Sequence, residues 1–195
     1  MDSWAHVRDE SGDDAKPTEP SDDPVGAPDL VLIPPGVLHG PGLQPEKALR
    51  AVAAEALARA FAINAIGPTL IAKHCAPHLP RDRKSVLAAL SARVGSIGDN
   101  RAGGWHAYRA SKAALNMLFR NCAIELATRN PHAVCVTLHP GTVDTAMSAP
   151  FQAGVAKDRL FSPQRSAQAL LGVIDRLTPA QSGSLTAWDG QTIPF

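Results

Sequence analysis

Aromatic side chains are scarce in this sequence of 195 residues, which has five phenylalanines, three tryptophans and a single tyrosine. Charge of one sign is not in excess either, because 19 lysines and arginines meet 18 aspartates and glutamates and leave a net charge of +1. Without a basic surface no nucleic-acid partner is expected. No apolar run reaches the roughly 18 residues that a membrane-spanning helix needs, so no membrane partner is expected.

Cysteine is equally rare. Cys75, Cys122 and Cys135 lie far apart in apolar surroundings, which favours buried reduced thiols over a disulfide framework. The acidic N-terminus is unlike a signal or transit peptide, so we expect a cytoplasmic protein. His74 and His78 have a spacing that a helical metal pair would have, but no second cluster of ligands is near in sequence, and no metal site is predicted.

Composition divides the chain into two parts. Residues 1–28 are rich in Asp, Glu, Ser and Pro and have few branched apolar side chains, which predicts a disordered acidic tail. Residues 29–195 are long enough for one domain with a substantial core.

Apolar runs predict strands at residues 29–33, 85–90, 133–138 and 183–188. Between them, apolar residues at helical spacing predict helices at 46–74, 107–128 and 163–177, the first one continuous or divided near Gly67 and Pro68. Strands alternating with helices indicate an α/β fold with a doubly wound parallel sheet, covered on both faces.

The single tyrosine, Tyr108, stands four positions before Lys112. On a helix this spacing places the phenol and the ammonium on one face, one turn apart. Free tyrosine has a pKa of about 10, which makes it a poor proton donor near neutral pH. A neighbouring cation would lower that pKa, so we expect Tyr108 and Lys112 to form a catalytic pair.

Other motifs stand in a fixed order around this pair. Asn64 lies in the predicted first helix, and the run His139-Pro140-Gly141-Thr142-Val143-Asp144-Thr145 ends the third strand. Together with Tyr108 and Lys112 they make the chain resemble the short-chain dehydrogenase/reductase family. The glycine-rich stretch that includes Gly95, Gly98, Gly103 and Gly104 is similar to the C-factor-like carbonyl reductase branch of that family.

The resemblance implies a Rossmann-like fold, a nicotinamide cofactor, and roles for particular residues. Tyr108 would be the proton donor, Lys112 would lower its pKa and hold the nicotinamide ribose, and Asn64 would support a proton-relay water. The branch favours NADP, and NAD stays possible as the cofactor. The residues expected to bind it are Gly36, Asn64, Tyr108, Lys112, Pro140, Gly141, Thr142, Val143 and Thr145.

One departure from the family pattern concerns a serine that hydrogen-bonds the substrate oxygen. Direct alignment places Ala92 at that position. Ser91 is our first candidate for a substitute because it ends the strand, and Ser96 is the second. Loss of one such donor costs about 2.7–4 kcal/mol of transition-state stabilisation, which slows a reaction without abolishing it.

A second departure concerns the phosphates of the cofactor. Family members open with a strand and a glycine-rich turn that receives the pyrophosphate at a helix N-terminus. No Gly-x-x-x-Gly-x-Gly turn precedes Asp29. The turn after the first remaining strand is Pro34-Pro35-Gly36, in which only Gly36 matches the sequence that the family usually has there. We therefore expect an N-terminally truncated family member with impaired activity. The first remaining strand would expose its outer edge.

Three functions remain open. The first is an oxidoreductase acting on a small or medium carbonyl compound, with His106, Phe151 and residues 147–161 near the substrate. For Trp105, a place in the substrate pocket and structural packing of the indole are equally good interpretations. The second is a non-catalytic partner that forms a homo-oligomer, or a hetero-oligomer with a full-length reductase, through helices 46–74 and 107–128. The third is a truncated product without function.

Overall fold

A five-stranded sheet forms the centre of the structure, a computed structural model that describes residues 26–195. The strands of this sheet are β1 (Leu30–Ile33), β2 (Ser85–Leu90), β3 (Ala133–His139), β6 (Leu185–Ala187) and β7 (Thr192–Ile193). A separate parallel pair joins β4 (Thr142–Val143) to β5 (Leu160–Phe161). The predicted disordered tail lies, up to residue 25, outside the described residues.

The order of the main sheet is β1-β2-β3-β6-β7, and its first four strands are parallel. Strands β2 and β3 are buried along nearly their whole length, as continuous apolar runs in the middle of a parallel sheet should be. The chain after the last predicted strand adds β7, which pairs antiparallel with β6. The doubly wound α/β class predicted from the sequence is therefore confirmed.

Within residues 26–195, four α-helices connect or follow the strands: α1 (Ala54–Phe61), α2 (Gly67–Cys75), α3 (His106–Arg129) and α4 (Pro163–Arg176). A π-helical turn, Ala62–Ile66, joins α1 to α2 without a break. The described residues contain no helix with the length and apolarity that crossing a membrane requires.

The prediction that the first helix starts at Glu46 is wrong. Ala53 is extended and α1 begins at Ala54, after one short 3₁₀ turn. Glu46 is instead buried, and its carboxylate accepts a hydrogen bond from the backbone amide of Ala107 at the start of α3. Helix propensity at this position was overridden by a contact with a residue distant in sequence.

The two faces of the sheet are packed differently. On one face α3 covers β2 and β3, with Leu115 and Phe119 completely or almost completely buried. On the other face α4 places Leu170, Val173 and Ile174 against the opposite side chains of the same strands. The core therefore centres on β2 and β3, and the carboxyl ends of these strands lie between α3 and α4.

Strand β1 is covered less well than the sequence predicted. Val31 and Ile33 pack on the α3 face, but Leu30 and Leu32 point the other way and remain 37% and 39% exposed. Within residues 26–195, β1 pairs with β2 alone, so its second edge is free. Helix α4 reaches over β2 and β3 but does not cover β1.

Candidate active site

A cleft of about 970 Å³ opens at the carboxyl ends of the parallel strands. This end of an open α/β sheet is where ligands bind, because the loops that follow the strands meet there. The residues predicted for the site that line the cleft are Gly36, Ser91, Tyr108, Lys112, Pro140, Gly141, Thr142, Val143 and Thr145. Ala92, Trp105 and Phe151 line it as well. Asn64 lies behind its wall, whereas Ser96 and His106 are not part of the lining.

Helix α3 carries Tyr108 and Lys112 into the cleft. Lys112 is only 3% exposed, and its Nζ donates a hydrogen bond of 2.8 Å to the carbonyl oxygen of Leu90 at the end of β2. The turn after β2 packs directly on the helix at this point, since a Cβ on Gly95 would lie 2.8 Å from the Cβ of Lys112. Only glycine permits this close approach, which fixes the position of Lys112 at the end of β2.

Burial dominates the protonation of the pair. Desolvation raises the pKa of Tyr108 to about 12 and lowers the pKa of Lys112 to about 8. The expected lowering of the Tyr108 pKa by Lys112 is therefore wrong for the cleft as the chain alone forms it. The reason is that a phenolate at the half-buried Tyr108 would lose much of its hydration, while the lysine ammonium is directed at Leu90.

Asn64 has a fully buried side chain, in the π-helical turn between α1 and α2. Its amide exchanges two hydrogen bonds with the backbone of Val37, of 2.7 and 2.9 Å, and donates a third to the Ser111 hydroxyl. It thus joins the loop after β1 to α3. A Cβ on Gly36 would lie 3.3 Å from Lys112 Nζ and 3.5 Å from Asn64 Oδ1, so Gly36 sits directly over both groups. The relay role of Asn64 stays a prediction.

The two candidate serines lie in different places. Ser91 lines the cleft, but its hydroxyl donates a 2.7 Å hydrogen bond to Asn116 Oδ1 on α3. The Ser96 hydroxyl is directed away from the cleft, to the carbonyl oxygen of Pro194 near the C-terminus. Ala92 occupies a cleft-lining position immediately after Ser91. Ser91 is thus the candidate with access to a substrate, provided that it releases Asn116.

The loop after β3 forms the opposite wall. Gly141 has a φ of +81°, and a Cβ there would lie 2.9 Å from the Phe161 ring, so this turn requires glycine. Ser166 on α4 donates a hydrogen bond of 2.9 Å to the Pro140 carbonyl oxygen. Burial lowers the pKa of the neighbouring His139 to about 4, so this cleft-lining imidazole is neutral near pH 7.

The comparisons with known proteins agree with this geometry. A family model described as enoyl-(acyl carrier protein) reductase matches residues 35–181. C-signal of Myxococcus xanthus is 38% identical over 139 residues, which cover 71% of this chain and 78% of C-signal. The chain belongs to the short-chain dehydrogenase/reductase family. The membership expected from the motifs around Tyr108 is confirmed.

Solved structures of the short-chain dehydrogenase/reductase fold extend the likeness. The carbonyl reductase Sniffer of D. melanogaster has a TM-score of 0.73 and 24% identity, and the match covers 86% of this chain and 66% of Sniffer. An NADPH-bound carbonyl reductase from chicken fatty liver has a TM-score of 0.65 and 25% identity, over 76% of this chain and 60% of the enzyme. The chain thus spans less than two thirds of either structure.

The described residues fit one half of the nicotinamide cofactor that short-chain dehydrogenase/reductases bind. Gly36 leaves room beside Lys112, and the loop from Pro140 to Thr145 faces Tyr108 across the cleft. Both features suit the nicotinamide and its ribose. No group between residues 26 and 195 offers the matching cradle for phosphates.

A glycine pattern with the spacing of the phosphate turn does follow β1, at Gly36, Gly40 and Gly42. The structure does not make it a phosphate site. The amides of Gly40 and Leu43 bond each other's carbonyl oxygens, residue 41 is a proline, and α1 begins only at Ala54. No helix N-terminus stands behind these glycines to receive an anion.

Two residues that contact the site were missed from the sequence. Glu46 holds the start of α3, through hydrogen bonds from the amides of Trp105 and Ala107. The Nε2 of His39 lies 3.2 and 3.1 Å from the carbonyl oxygens of Ala146 and Met147, in the loop across the cleft. Neither position is marked in the sequence by a motif or a periodicity.

The raised pKa of Tyr108 can be measured directly because the chain has no other tyrosine. Free tyrosine is half ionised at about pH 10. In the folded chain we expect no tyrosinate absorbance at that pH, and half ionisation close to pH 12. Because the pKa of Tyr108 is higher in the folded chain than in the unfolded chain, Tyr108 contributes its full stabilisation of the fold below about pH 10. This contribution is lost as the pH rises through about 12. Half ionisation below pH 10, with the circular dichroism of the native fold retained, would contradict the desolvation of Tyr108.

Proposed function

We propose that the chain is a short-chain oxidoreductase that reduces a small or medium carbonyl compound with NADPH or NADH, or catalyses the reverse oxidation of an alcohol. The observation that supports this most strongly is the position of Tyr108 and Lys112 at one wall of the cleft, opposite the Pro140 to Thr145 loop. Because all three cysteines are free thiols, we propose the cytoplasm as its compartment.

Each residue of the cleft has a distinct part in this reaction. A bound nicotinamide cofactor supplies the hydride. As negative charge develops on the carbonyl oxygen, Tyr108 donates the proton. Lys112 holds the ribose hydroxyls, and the ammonium, so placed beside the phenol, stabilises the tyrosinate that proton transfer leaves. Asn64 keeps the loop after β1 against α3 and so keeps Gly36 above Lys112.

Two features support an impaired rate. Ala92 leaves the substrate oxygen without the usual serine, and the nearby Ser91 hydroxyl is bonded to Asn116. Residues 26–195 form no phosphate cradle, so this part of the chain lacks the backbone donors that would bind the pyrophosphate. The first feature lowers transition-state stabilisation and the second weakens cofactor binding, so we expect a reduced kcat and a high KM for the cofactor.

NADP is the cofactor we favour, with NAD as the alternative. The support is indirect, since the carbonyl reductase from chicken fatty liver is an NADPH-bound enzyme that shares the fold and 25% of the sequence. In this family the residues that distinguish the two cofactors follow the second strand, which has no counterpart in residues 26–195.

Titration with NADPH and NADH, followed by nicotinamide fluorescence, tests the proposal. We expect saturable binding with a dissociation constant at or below the order of 1 mM. Tyr108→Phe should lower kcat by about 10²- to 10⁴-fold, because it removes the general acid, while largely sparing cofactor affinity. Lys112→Met should instead weaken binding. No saturable binding of either cofactor would refute the enzyme, and unchanged turnover in Tyr108→Phe would refute the assigned acid.

Substitution of Ala92 by serine is expected to increase the activity. Ala92→Ser should raise kcat by up to about 10²-fold, because it restores one donor to the substrate oxygen. If Ser91 now substitutes for that donor, Ser91→Ala should slow the wild-type chain but have little effect in Ala92→Ser. Ser96→Ala is the matched control, since its hydroxyl is bonded to Pro194 outside the cleft. An Ala92→Ser variant with normal cofactor binding and unchanged kcat would contradict the assignment.

A second candidate function is an oligomerisation partner of a full-length reductase or of another copy. It is favoured by exposed apolar side chains on the π-helical turn, α2 and α3. Their exposed fractions are large for such residues: Ile66 51%, Leu70 51%, Ile71 42%, Met117 61% and Ile124 58%. Apolar side chains on neighbouring helices would be buried in a symmetric interface between chains.

Sedimentation velocity distinguishes this candidate from a monomeric chain. We expect a dimer or larger species that dissociates in the double variant Leu70→Glu, Met117→Glu, because each substitution would bury a charge at the interface. Leu49→Glu is the control, since Leu49 is 77% exposed and lies outside these helices. A monomeric wild-type chain that also fails to associate with a full-length relative would contradict the candidate.

A further inference from the structure

Three aromatic side chains, Trp105, Tyr108 and Phe151, line the cleft. Trp105 contacts Tyr108, with ring centroids 6.3 Å apart, and Phe151, at 4.9 Å. Phe151 in turn meets the imidazole of His39 edge-on at 5.7 Å. We name Trp105, Phe151 and His39 the aromatic wall. The aromatic wall begins beside Tyr108 and extends to residues 147–161, which we expect near the substrate.

The backbone of Trp105 is held in an unfavourable conformation. Its φ of 50° is the one positive value at a non-glycine position in the described part of the chain. No side chain of its own caps the start of α3, and the buried Glu46 does so instead, through its carbonyl oxygen and its carboxylate. A bulky residue kept in the left-handed region next to a catalytic group indicates a functional placement. The placement directs the indole towards Phe151 and Tyr108.

Phe151 is held from the other side of the cleft. It ends the short turn Ala149–Phe151, within a loop whose Ser148 and Gln152 side chains bond to each other at 2.8 Å. A proton on His39 Nε2 can be donated to the carbonyl oxygens of Ala146 and Met147, which ties this loop to the loop after β1. The phenyl ring is therefore positioned before any ligand enters.

The charged side chains of the cleft do not favour an ionic substrate. Of the residues that line the cleft, Arg93 and Lys112 carry a positive charge at neutral pH. The Arg93 guanidinium bonds Asp99 at 2.8 Å, and Lys112 Nζ bonds the Leu90 carbonyl oxygen. Beside the wall the lining is apolar, with Leu38, Met147 and Val155.

We propose that the carbonyl substrate of this cleft carries a planar aromatic ring, and that the ring lies against Trp105 and Phe151 while the carbonyl oxygen meets Tyr108. This substrate class rests on the proposed function of the same site. Aromatic rings attract one another in offset and edge-to-face arrangements beyond the burial of their area, which a saturated ring of equal size cannot reproduce. The wall thus selects aryl ketones and aryl aldehydes over alicyclic ones.

Acetophenone and cyclohexyl methyl ketone form a matched pair of probes, because they share the carbonyl and the carbon skeleton and differ in the aromaticity of the ring. Their binding to the cofactor-free chain is measured by ligand-observed saturation-transfer NMR, and kcat/KM is compared where turnover is present. Acetophenone should bind about three- to tenfold more tightly. Phe151→Leu should abolish that preference, and Phe195→Leu, outside the cleft, should retain it.

Variants of His39 test whether this residue positions Phe151 in the aromatic wall. His39→Leu should reduce the preference, and His39→Gln, which keeps a donor for the two carbonyl oxygens, should restore part of it. Equal binding of the two ketones, no saturable binding of either, or a preference that survives in Phe151→Leu would overturn the aromatic wall as the substrate site. An intact preference in a chain that binds neither NADPH nor NADH would leave the wall standing and overturn the proposed oxidoreductase instead.

Discussion

The packing of α3 on β2 and β3 is the contact on which the rest of the site depends. Leu115 and Phe119 bury the helix against the sheet, so the turns that precede them extend past the strand ends. Tyr108 and Lys112 lie on those turns. The cost of this arrangement is the desolvation of both groups, which separates their pKa values to about 12 and about 8. A strong cluster of apolar contacts thus holds an electrostatically unfavourable pair in place.

The site is built from two loops that the helix brings together. Asn64 and Ser111 hold the loop after β1 near Lys112, while Gly141 lets the loop after β3 turn against Phe161. The nicotinamide half of the site that we propose is thus closely packed. The half that would receive phosphates has no counterpart in the described residues, among which β1 is the edge strand of the sheet. The family is established, and the strength of cofactor binding becomes the decisive measurement.

Much of the fold could be predicted from local patterns. Strands β2 and β3 are continuous apolar runs, and Pro163 marks the first turn of α4, so their positions were predicted to within a residue or two. The first helix was misplaced because Glu46 has good helix propensity but is used to cap α3. The π-helical turn around Asn64 lies just before Gly67 and Pro68, where the sequence allowed the helix to be divided, and Pro68 has no amide to bond the Asn64 carbonyl oxygen as an α-helix requires.

The sequence by itself determined the family, the order of strands and helices, and the pairing of Tyr108 with Lys112, because periodicity and spacing along one helix are local properties. Only the tertiary structure decided what those groups can do. Burial reversed the expected direction of the Tyr108 pKa, and Asn116 took the Ser91 hydroxyl. His39 and Glu46 contact the site although no sequence motif marks them. Desolvation and long-range hydrogen bonds depend on which residues meet in space, and spacing along the chain does not encode that.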